Sequence, residues 1–269
     1  MIAEPPPAEY DPKVPLVIDA ARGLVVRTVA RFPWPRRAFL HDGNFQITPA
    51  EIVCSTRLLI YVHGYNEDPE IAKGYGLHNI AAGVSERGEI CPVATFLWPS
   101  RFGVLGFGRA RRAANATAPV FAKAVEHLRA QCPALRLHVL AHSLGARVVL
   151  KALQENPLPV VDLALVAPAV DSDALEPGGE FGAVAGRVAR ILYTHNRFDR
   201  SLRWYRWRGS RALGAHGFEH PDQTPSNVSG VDMAADWQAH SRDGGHGAIL
   251  HPQYWPAFWK KALPKDFFQ

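Results

Sequence analysis

The segment Val139-Leu140-Ala141-His142-Ser143-Leu144-Gly145 joins two different hydrophobic patterns. The apolar run that enters it, from Leu135 to Leu140, predicts a buried strand, and the residues from Ala146 to Leu153 predict a helix. The serine between them stands on a sharp turn, with small residues two positions before it and two positions after it. Small residues keep larger side chains out of such a crowded turn. The pattern therefore predicts a serine hydroxyl exposed at the edge of a sheet, although the segment alone also fits a serine that merely caps a helix.

Length and composition are those of one globular domain. The chain has 269 residues, of which 47% are hydrophobic and 20% are charged, so it can bury one sizeable core. Its apolar runs are too short to span a bilayer, and residues 1–7 lack the basic and apolar regions of a signal peptide. The odd number of cysteines argues against a complete disulfide framework. We therefore expect no transmembrane segment and a cytoplasmic location.

The excess of positive charge is concentrated in one arginine-rich run. The net charge is +5, and six arginines fall between Arg197 and Arg211, interleaved with Trp204, Tyr205 and Trp207. This run fits either a surface for anionic groups or a solvated flap with aromatic anchors. Because no nucleic-acid motif accompanies it, we expect no nucleic-acid partner.

Signatures of metal and nucleotide binding are missing from the sequence. The chain contains no C-x-x-C, no H-E-x-x-H and no G-x-x-x-x-G-K-[ST]. We therefore expect neither a metal site nor a bound cofactor.

Strand patterns alternate with helix patterns along most of the chain. Residues 1–15 are rich in proline and predict an extended N-terminal arm, and residues 16–269 predict a single domain. The alternation predicts an α/β fold with a mostly parallel central sheet and helices on both faces. In such sheets the site lies at the carboxyl ends of the strands, which is where the polar clusters of this chain fall.

Four blocks of sequence resemble the α/β-hydrolase superfamily in their order and spacing. They point further to a bacterial branch that is recorded as a hydrolase domain of unknown function and is esterase- or lipase-like. The resemblance covers about residues 55–260. It departs from the usual pattern at Ala141 (commonly glycine), Leu144 (commonly methionine) and Ala169 (commonly aspartate). The blocks are Tyr61-Val62-His63-Gly64-Tyr65-Asn66, Phe96-Leu97-Trp98-Pro99-Ser100, Leu140-Ala141-His142-Ser143-Leu144-Gly145-Ala146-Arg147-Val148 and Val166-Ala167-Pro168-Ala169-Val170-Asp171.

The resemblance implies a catalytic serine, acid and histidine in that order along the chain. Ser143 is the expected nucleophile, and it needs an imidazole to remove its proton. We expect that base to be His246, which lies in a glycine-rich loop before the closing helix. His240 is the alternative base, and His251 is a third candidate.

Two aspartates are candidates for the acid. Asp199 follows the predicted strand of residues 188–194, which is the usual place, and we expect it to orient the base. Asp171 follows the predicted strand of residues 160–166, a place that some lipases use, and it is the alternative acid. Asp171 could instead cap a helix, and Asp199 could instead pair with a nearby arginine.

Two backbone N–H groups are expected to form an oxyanion hole. One belongs to Leu144, at the start of the helix after the serine, and the other to Tyr65, in the loop after His63. His63 is expected to brace that loop. Two segments, near residues 100–112 and 200–225, could form a lid over the site or simply pack against the sheet. Their apolar side chains are those of Phe102, Leu105, Phe107, Trp204, Tyr205 and Trp207.

The expected function is that of a serine hydrolase that cleaves carboxylic esters through an acyl-enzyme, without a cofactor. The expected partner is a small-molecule ester, and the oligomeric state stays open. Acyltransferase or lipase action is the alternative, because both reactions use the same serine, histidine and aspartate. A second alternative is a binding module that has the same fold but no enzymatic activity.

Overall fold

The computed structural model describes residues 16–21, 24–29, 36–41, 43–48, 56–86, 91–103, 105–205, 210–237, 243–263 and 267. The predicted N-terminal arm, residues 1–15, lies outside this part of the chain. So do the alternative base His240 and the aromatic residue Trp207.

An eight-stranded sheet forms the centre of the domain. Its strand order is β10-β9-β8-β7-β5-β6-β1-β4, and every neighbouring pair is parallel except β1 and β4. Two further strands, β2 and β3, pair antiparallel as a separate two-stranded sheet. The strands are β1 (Leu16–Asp19), β2 (Leu24–Val29), β3 (Arg36–His41), β4 (Gln46–Thr48), β5 (Arg57–Val62), β6 (Val93–Leu97), β7 (Arg136–His142), β8 (Val160–Val166), β9 (Arg190–His195) and β10 (Val228–Asp232).

Helices follow most of the parallel strands. The α-helices are α1 (Pro69–Gly74), α2 (Ala81–Glu86), α3 (Phe107–Gln131), α4 (Gly145–Glu155), α5 (Gly182–Ala185), α6 (Leu213–His216), α7 (Ala234–Trp237) and α8 (Trp255–Lys261). A π-helical segment, Tyr75–Ile80, separates α1 from α2, and short 3-10 turns cover Leu202–Trp204, Pro221–Gln223, Ala248–Leu250 and Pro252–Tyr254.

The side chains of each central strand alternate between two apolar layers. In β5, Ile60 packs with the layer that contains α3 and α4, whereas Leu59 packs with the layer that contains Trp255 and Phe258 of α8. All of these side chains are buried. Burial on both faces explains why the parallel strands read as continuous apolar runs. The prediction of a mostly parallel sheet with helices on both faces is confirmed.

Two further findings concern cysteines and membrane spans. Cys132, at the end of α3, is disulfide-bonded. Cys91 is a buried thiol whose Sγ lies 3.7 Å from the carbonyl oxygen of Pro92. Within the described ranges, no helix is long and apolar enough to cross a membrane.

Candidate active site

Ser143 occupies a strained turn between β7 and α4. Its φ angle is 51°, in the left-handed region that costs a residue with a side chain about 1–2 kcal/mol. Hydrogen bonds to the next strand and its loop stabilise this conformation. The Ser143 N–H donates to the carbonyl of Val166 at 2.9 Å, and the Ser143 carbonyl accepts from the N–H of Ala169 at 3.0 Å. The turn therefore holds the serine side chain at the carboxyl edge of the sheet.

Gly145 permits the close approach of α4 to the end of β5. A Cβ atom at this position would lie 2.4 Å from the carbonyl oxygen of His63 and 2.6 Å from that of Val62. Both distances are far below van der Waals contact, so this position excludes any larger residue without a backbone shift. Close packing against β5 thus explains why the residue two positions after the serine is glycine.

Ser143, His246 and Asp199 form a continuous chain of hydrogen bonds. The Ser143 Oγ lies 3.0 Å from Nε2 of His246, and Nδ1 of His246 lies 2.7 Å from Oδ2 of Asp199. Asp199 is fully buried, and its Oδ1 accepts from the N–H of Leu202 at 2.8 Å. Burial disfavours the charged imidazole, but the charge and hydrogen bond of Asp199 outweigh it, so the pKa of His246 is raised.

The loop that carries His246 is tied to the loop that carries Asp199. The side-chain amide of Asn196 donates to the carbonyl of Gly244 at 2.7 Å, and the N–H of Arg200 donates to the carbonyl of Asp243 at 2.8 Å. Gly245 has a φ of 93°, and a Cβ there would lie 2.8 Å from Nδ2 of Asn196. Glycine at this position therefore lets the two loops meet.

The two expected oxyanion donors are backbone N–H groups that have no hydrogen-bond partner among the described residues. Leu144 immediately precedes α4, and Tyr65 lies in the turn after β5. Asn66, the next residue, has a φ of 60°, and its N–H donates to the carbonyl of Ser100 at 3.1 Å. This bond fixes the turn after Tyr65.

His63 braces the loop after β5, as expected. Its Nδ1 donates to the carbonyl of Gly64 at 3.0 Å, and its Nε2 accepts from the main-chain N–H of Trp98 at 3.1 Å. The indole N–H of Trp98 in turn donates to the carbonyl of His63 at 2.8 Å. Burial lowers the pKa of His63, which favours the neutral ring that these bonds require.

One contact near the serine was missed in the sequence. His142 Nδ1 lies 3.1 Å from Oε1 of Glu67, and its Nε2 lies 3.0 Å from the main-chain carbonyl of His246. The same Glu67 oxygen accepts from the N–H of Gly64 at 2.9 Å. His142 stands in the motif around Ser143, but no local pattern marks Glu67 as its partner.

A cavity of about 580 Å³ opens at Ser143 and His246. Part of its wall is an aromatic series: the ring of Phe107 meets those of Tyr65 and Tyr205 edge to face, each at a centroid distance of 5.7 Å. Leu105 and Leu202 also line the cavity, and Leu105 is 96% exposed. Leu105, Phe107 and Tyr205, which were expected near the site, therefore line the cavity.

The alternative acid, Asp171, is engaged elsewhere. Its Oδ1 accepts from the hydroxyl of Tyr205 at 2.7 Å, and its Oδ2 lies 3.9 Å from Nη2 of Arg111. Among the described residues, the carboxylate in contact with the His246 ring is that of Asp199. The structure therefore brings Asp199, and not Asp171, to the histidine.

A charged cluster adjoins Asp171, the residue that accepts from the Tyr205 hydroxyl. The buried guanidinium of Arg147, in α4, holds the Glu180 carboxylate with two bonds of 2.9 and 2.5 Å, and its Nε donates to Asn115 at 2.7 Å. Arg111 lies 3.3 Å from the same carboxylate. Arginine, with its planar fork of donors, suits this bidentate arrangement.

Comparisons with known proteins agree with this architecture. Residues 51–206 match a family described as alpha/beta hydrolase of unknown function (DUF900). A comparison with curated protein sequences finds no match.

Several solved structures are similar to this chain at low identity. A cutinase-like protein from Cryptococcus sp. is 15% identical, with 76% of this chain and 91% of that one covered and a TM-score of 0.41. A thermostable esterase is 11% identical, with 90% and 63% covered and a TM-score of 0.46. A cold-adapted esterase from an Arctic intertidal metagenomic library is 13% identical, with 90% and 98% covered and a TM-score of 0.42.

Proposed function

Because the chain belongs to the family of alpha/beta hydrolases of unknown function, we propose that it cleaves carboxylic esters of small molecules through a covalent acyl-enzyme. The observation that carries this proposal is the hydrogen-bonded series from Ser143 Oγ through the His246 ring to Asp199, with distances of 3.0 and 2.7 Å. A nucleophile within reach of a base, and a base oriented by a carboxylate, is the arrangement that activates a serine hydroxyl.

In the acylation step, His246 Nε2 takes the hydroxyl proton while Ser143 Oγ attacks the ester carbonyl. The carbonyl oxygen gains the negative charge, which the N–H groups of Leu144 and Tyr65 would stabilise. When the tetrahedral intermediate collapses, the bond to the leaving alcohol breaks and His246 returns the proton to that alcohol. Asp199 stays ionised and stabilises the imidazolium in between.

In the deacylation step, water takes the place of the alcohol. His246 removes a proton from the water as it attacks the acyl carbonyl, and Ser143 leaves with that proton. The products are a carboxylic acid and the free serine, so the cycle needs no cofactor. The apolar wall of the cavity supports an apolar acyl group, because apolar lining with few polar groups is typical of small-molecule sites.

The proposal is tested with a fluorophosphonate probe and a series of p-nitrophenyl esters from acetate to palmitate. Wild-type protein should be labelled and should show an optimum chain length, and Ser143→Ala should lose both labelling and turnover while keeping its fold. Ser201→Ala is a matched control, because Ser201 also lines the cavity but is not in the hydrogen-bonded series.

Other results would favour the alternative functions. An optimum at the longest esters would favour a lipase, and product ester formed with an added alcohol would favour an acyltransferase. A folded wild-type protein that is neither labelled nor active would contradict the proposal, and the binding module would then replace it.

A further inference from the structure

Glu67 and His142 form a largely buried pair that contacts both the oxyanion loop and the loop of the proposed base. The exposed side-chain fractions are 4% for His142 and 13% for Glu67. On one side, Glu67 accepts from the N–H of Gly64, the residue before the proposed oxyanion donor Tyr65. On the other side, His142 contacts the main chain of His246. The pair thus links the loop of Gly64 to the main chain of the base through hydrogen bonds.

Both ring nitrogens of His142 face oxygen atoms. Nε2 lies 3.0 Å from the carbonyl of His246, which can only accept, so Nε2 carries a proton. Nδ1 lies 3.1 Å from Oε1 of Glu67. An ionised carboxylate has no proton to donate, so Nδ1 must carry a proton too if Glu67 is charged.

The surroundings of Glu67 favour its charged form. Burial opposes ionisation, but the hydrogen bonds from His142 and from the N–H of Gly64 outweigh it, so the pKa of Glu67 is lowered. The other titratable neighbours are Tyr61 in β5 and Tyr75 in the π-helical segment. The pKa values of both tyrosines are raised, so neither competes for the negative charge.

We propose that His142 is a doubly protonated imidazolium that pairs with Glu67 and acts as a positioning residue for His246. The pair holds the main chain of the base on one side and the loop of Gly64 on the other. It therefore fixes the base and the oxyanion donors relative to each other and to the serine between them. This assignment rests on the proposed function for its effect on turnover, although the charge of the pair does not depend on it.

A positive charge on His142 has a consequence for the base itself. The ring centroids of His142 and His246 lie 5.0 Å apart, and Asp199 and Asp243 are the other charged groups that act on His246. At that distance an imidazolium disfavours a second positive charge, whereas the Glu67 carboxylate favours it. Removing only the His142 charge should therefore make His246 easier to protonate.

The charge of His142 can be read without any substrate. Protein labelled with ¹⁵N in the histidine rings is examined by NMR between pH 6 and 9, and the His142 ring is assigned through its correlation with its own Cβ. The proposal expects two protonated ring nitrogens at neutral pH in wild type, and loss of one of them in Glu67→Gln. One protonated nitrogen in the wild-type ring at neutral pH would overturn the ion pair.

The positioning role is read from kinetics on two variants that each keep one donor. The amide nitrogen of glutamine in His142→Gln can replace Nε2, and that of asparagine in His142→Asn can replace Nδ1. We expect kcat to fall about 10- to 100-fold in the asparagine variant and much less in the glutamine variant, with KM changed little in both. Exposed His78 provides the control, and His78→Gln should leave kcat and KM at wild-type values.

The pH profile separates positioning from simple packing. In His142→Gln the acid limb of kcat/KM should move up by about one pH unit, because the Glu67 charge then acts on His246 unopposed. In Glu67→Gln the limb should move less, because both charges of the pair are lost. An unmoved limb in His142→Gln, or equal kcat values for the two His142 variants, would contradict the positioning role. An inactive wild type would contradict the proposed function alone, since the ring protonation is measured independently.

Discussion

The α-carbon of Gly145 faces the carbonyl oxygen of His63 so closely that a Cβ atom would lie 2.4 Å from it. Gly145 is the first residue of α4, and His63 directly follows the neighbouring strand β5. Leu144, one expected oxyanion donor, directly precedes Gly145, and Tyr65, the other, follows His63 by two positions. The close packing of α4 against the end of β5 therefore requires a residue without a side chain at position 145.

Gly145→Ala should destabilise the protein by about 2–3 kcal/mol, because the obstructing atoms are backbone and cannot rotate away. Urea denaturation monitored by circular dichroism measures the change. Gly108→Ala is the control, since a Cβ at this helical position meets nothing within 4 Å, and it should stabilise by about 0.5–1 kcal/mol. Equal unfolding midpoints for the two variants would show that the backbone adapts without cost.

Asp199→Asn should lower kcat by roughly 10³- to 10⁴-fold, because the neutral side chain no longer orients and stabilises the imidazolium of His246. Asp171→Asn should lower kcat by less than about tenfold, since its oxygen can still accept from the Tyr205 hydroxyl. Both values come from saturation kinetics on one p-nitrophenyl ester. A larger loss in Asp171→Asn would exchange the roles of the two aspartates.

The pH profile of kcat/KM should have an acid limb centred above pH 6.5, the ordinary pKa of histidine, because the pKa of His246 is raised. The base must be neutral to take the serine proton, so activity is present above that pKa and is lost as pH falls through it. In Asp199→Asn the residual activity should have its limb at lower pH, because burial then acts without the opposing carboxylate. A wild-type limb below pH 6.5 would argue against His246 as the base.

Tyr205→Ala should shift the preferred ester toward longer acyl chains, because it removes a ring from the cavity wall beside Phe107. Tyr205→Phe keeps the ring and loses only the bond to Asp171. It should leave the chain-length optimum in place and cost about 1 kcal/mol of stability. The ester series and urea denaturation separate the two effects. An unchanged optimum in Tyr205→Ala would mean that the acyl group lies elsewhere.

The sequence predicted the fold well because each signal was local. A buried strand, a turn with small residues and a helix lie within about twenty residues around Ser143, and their periodicities differ. The loop of His246 was also marked locally, by the glycines at 244 and 245 that its close packing requires. These features depend on the backbone, and backbone requirements restrict residue types strongly.

Other parts of the site could not be read from the sequence. Asp171 and Asp199 both follow strands, but Asp171 accepts from the Tyr205 hydroxyl, whereas Asp199 contacts the His246 ring. Glu67 meets His142 across 75 positions, so no window of sequence contains both. Contacts of this kind depend on tertiary packing, which a single chain does not display as a pattern.

The bonds from Asn196 to Gly244 and from Arg200 to Asp243 make the acid loop and the base loop one mechanical unit. The main chain of Leu202, which donates to Asp199, belongs to the same unit. We therefore expect the loops of Asp199 and His246 to keep their positions when a substrate enters the cavity. The Leu105 side chain, which lines the cavity and is 96% exposed, has no such bonds to hold it, so we expect a bulky substrate to displace this side chain and not the loop of Asp199.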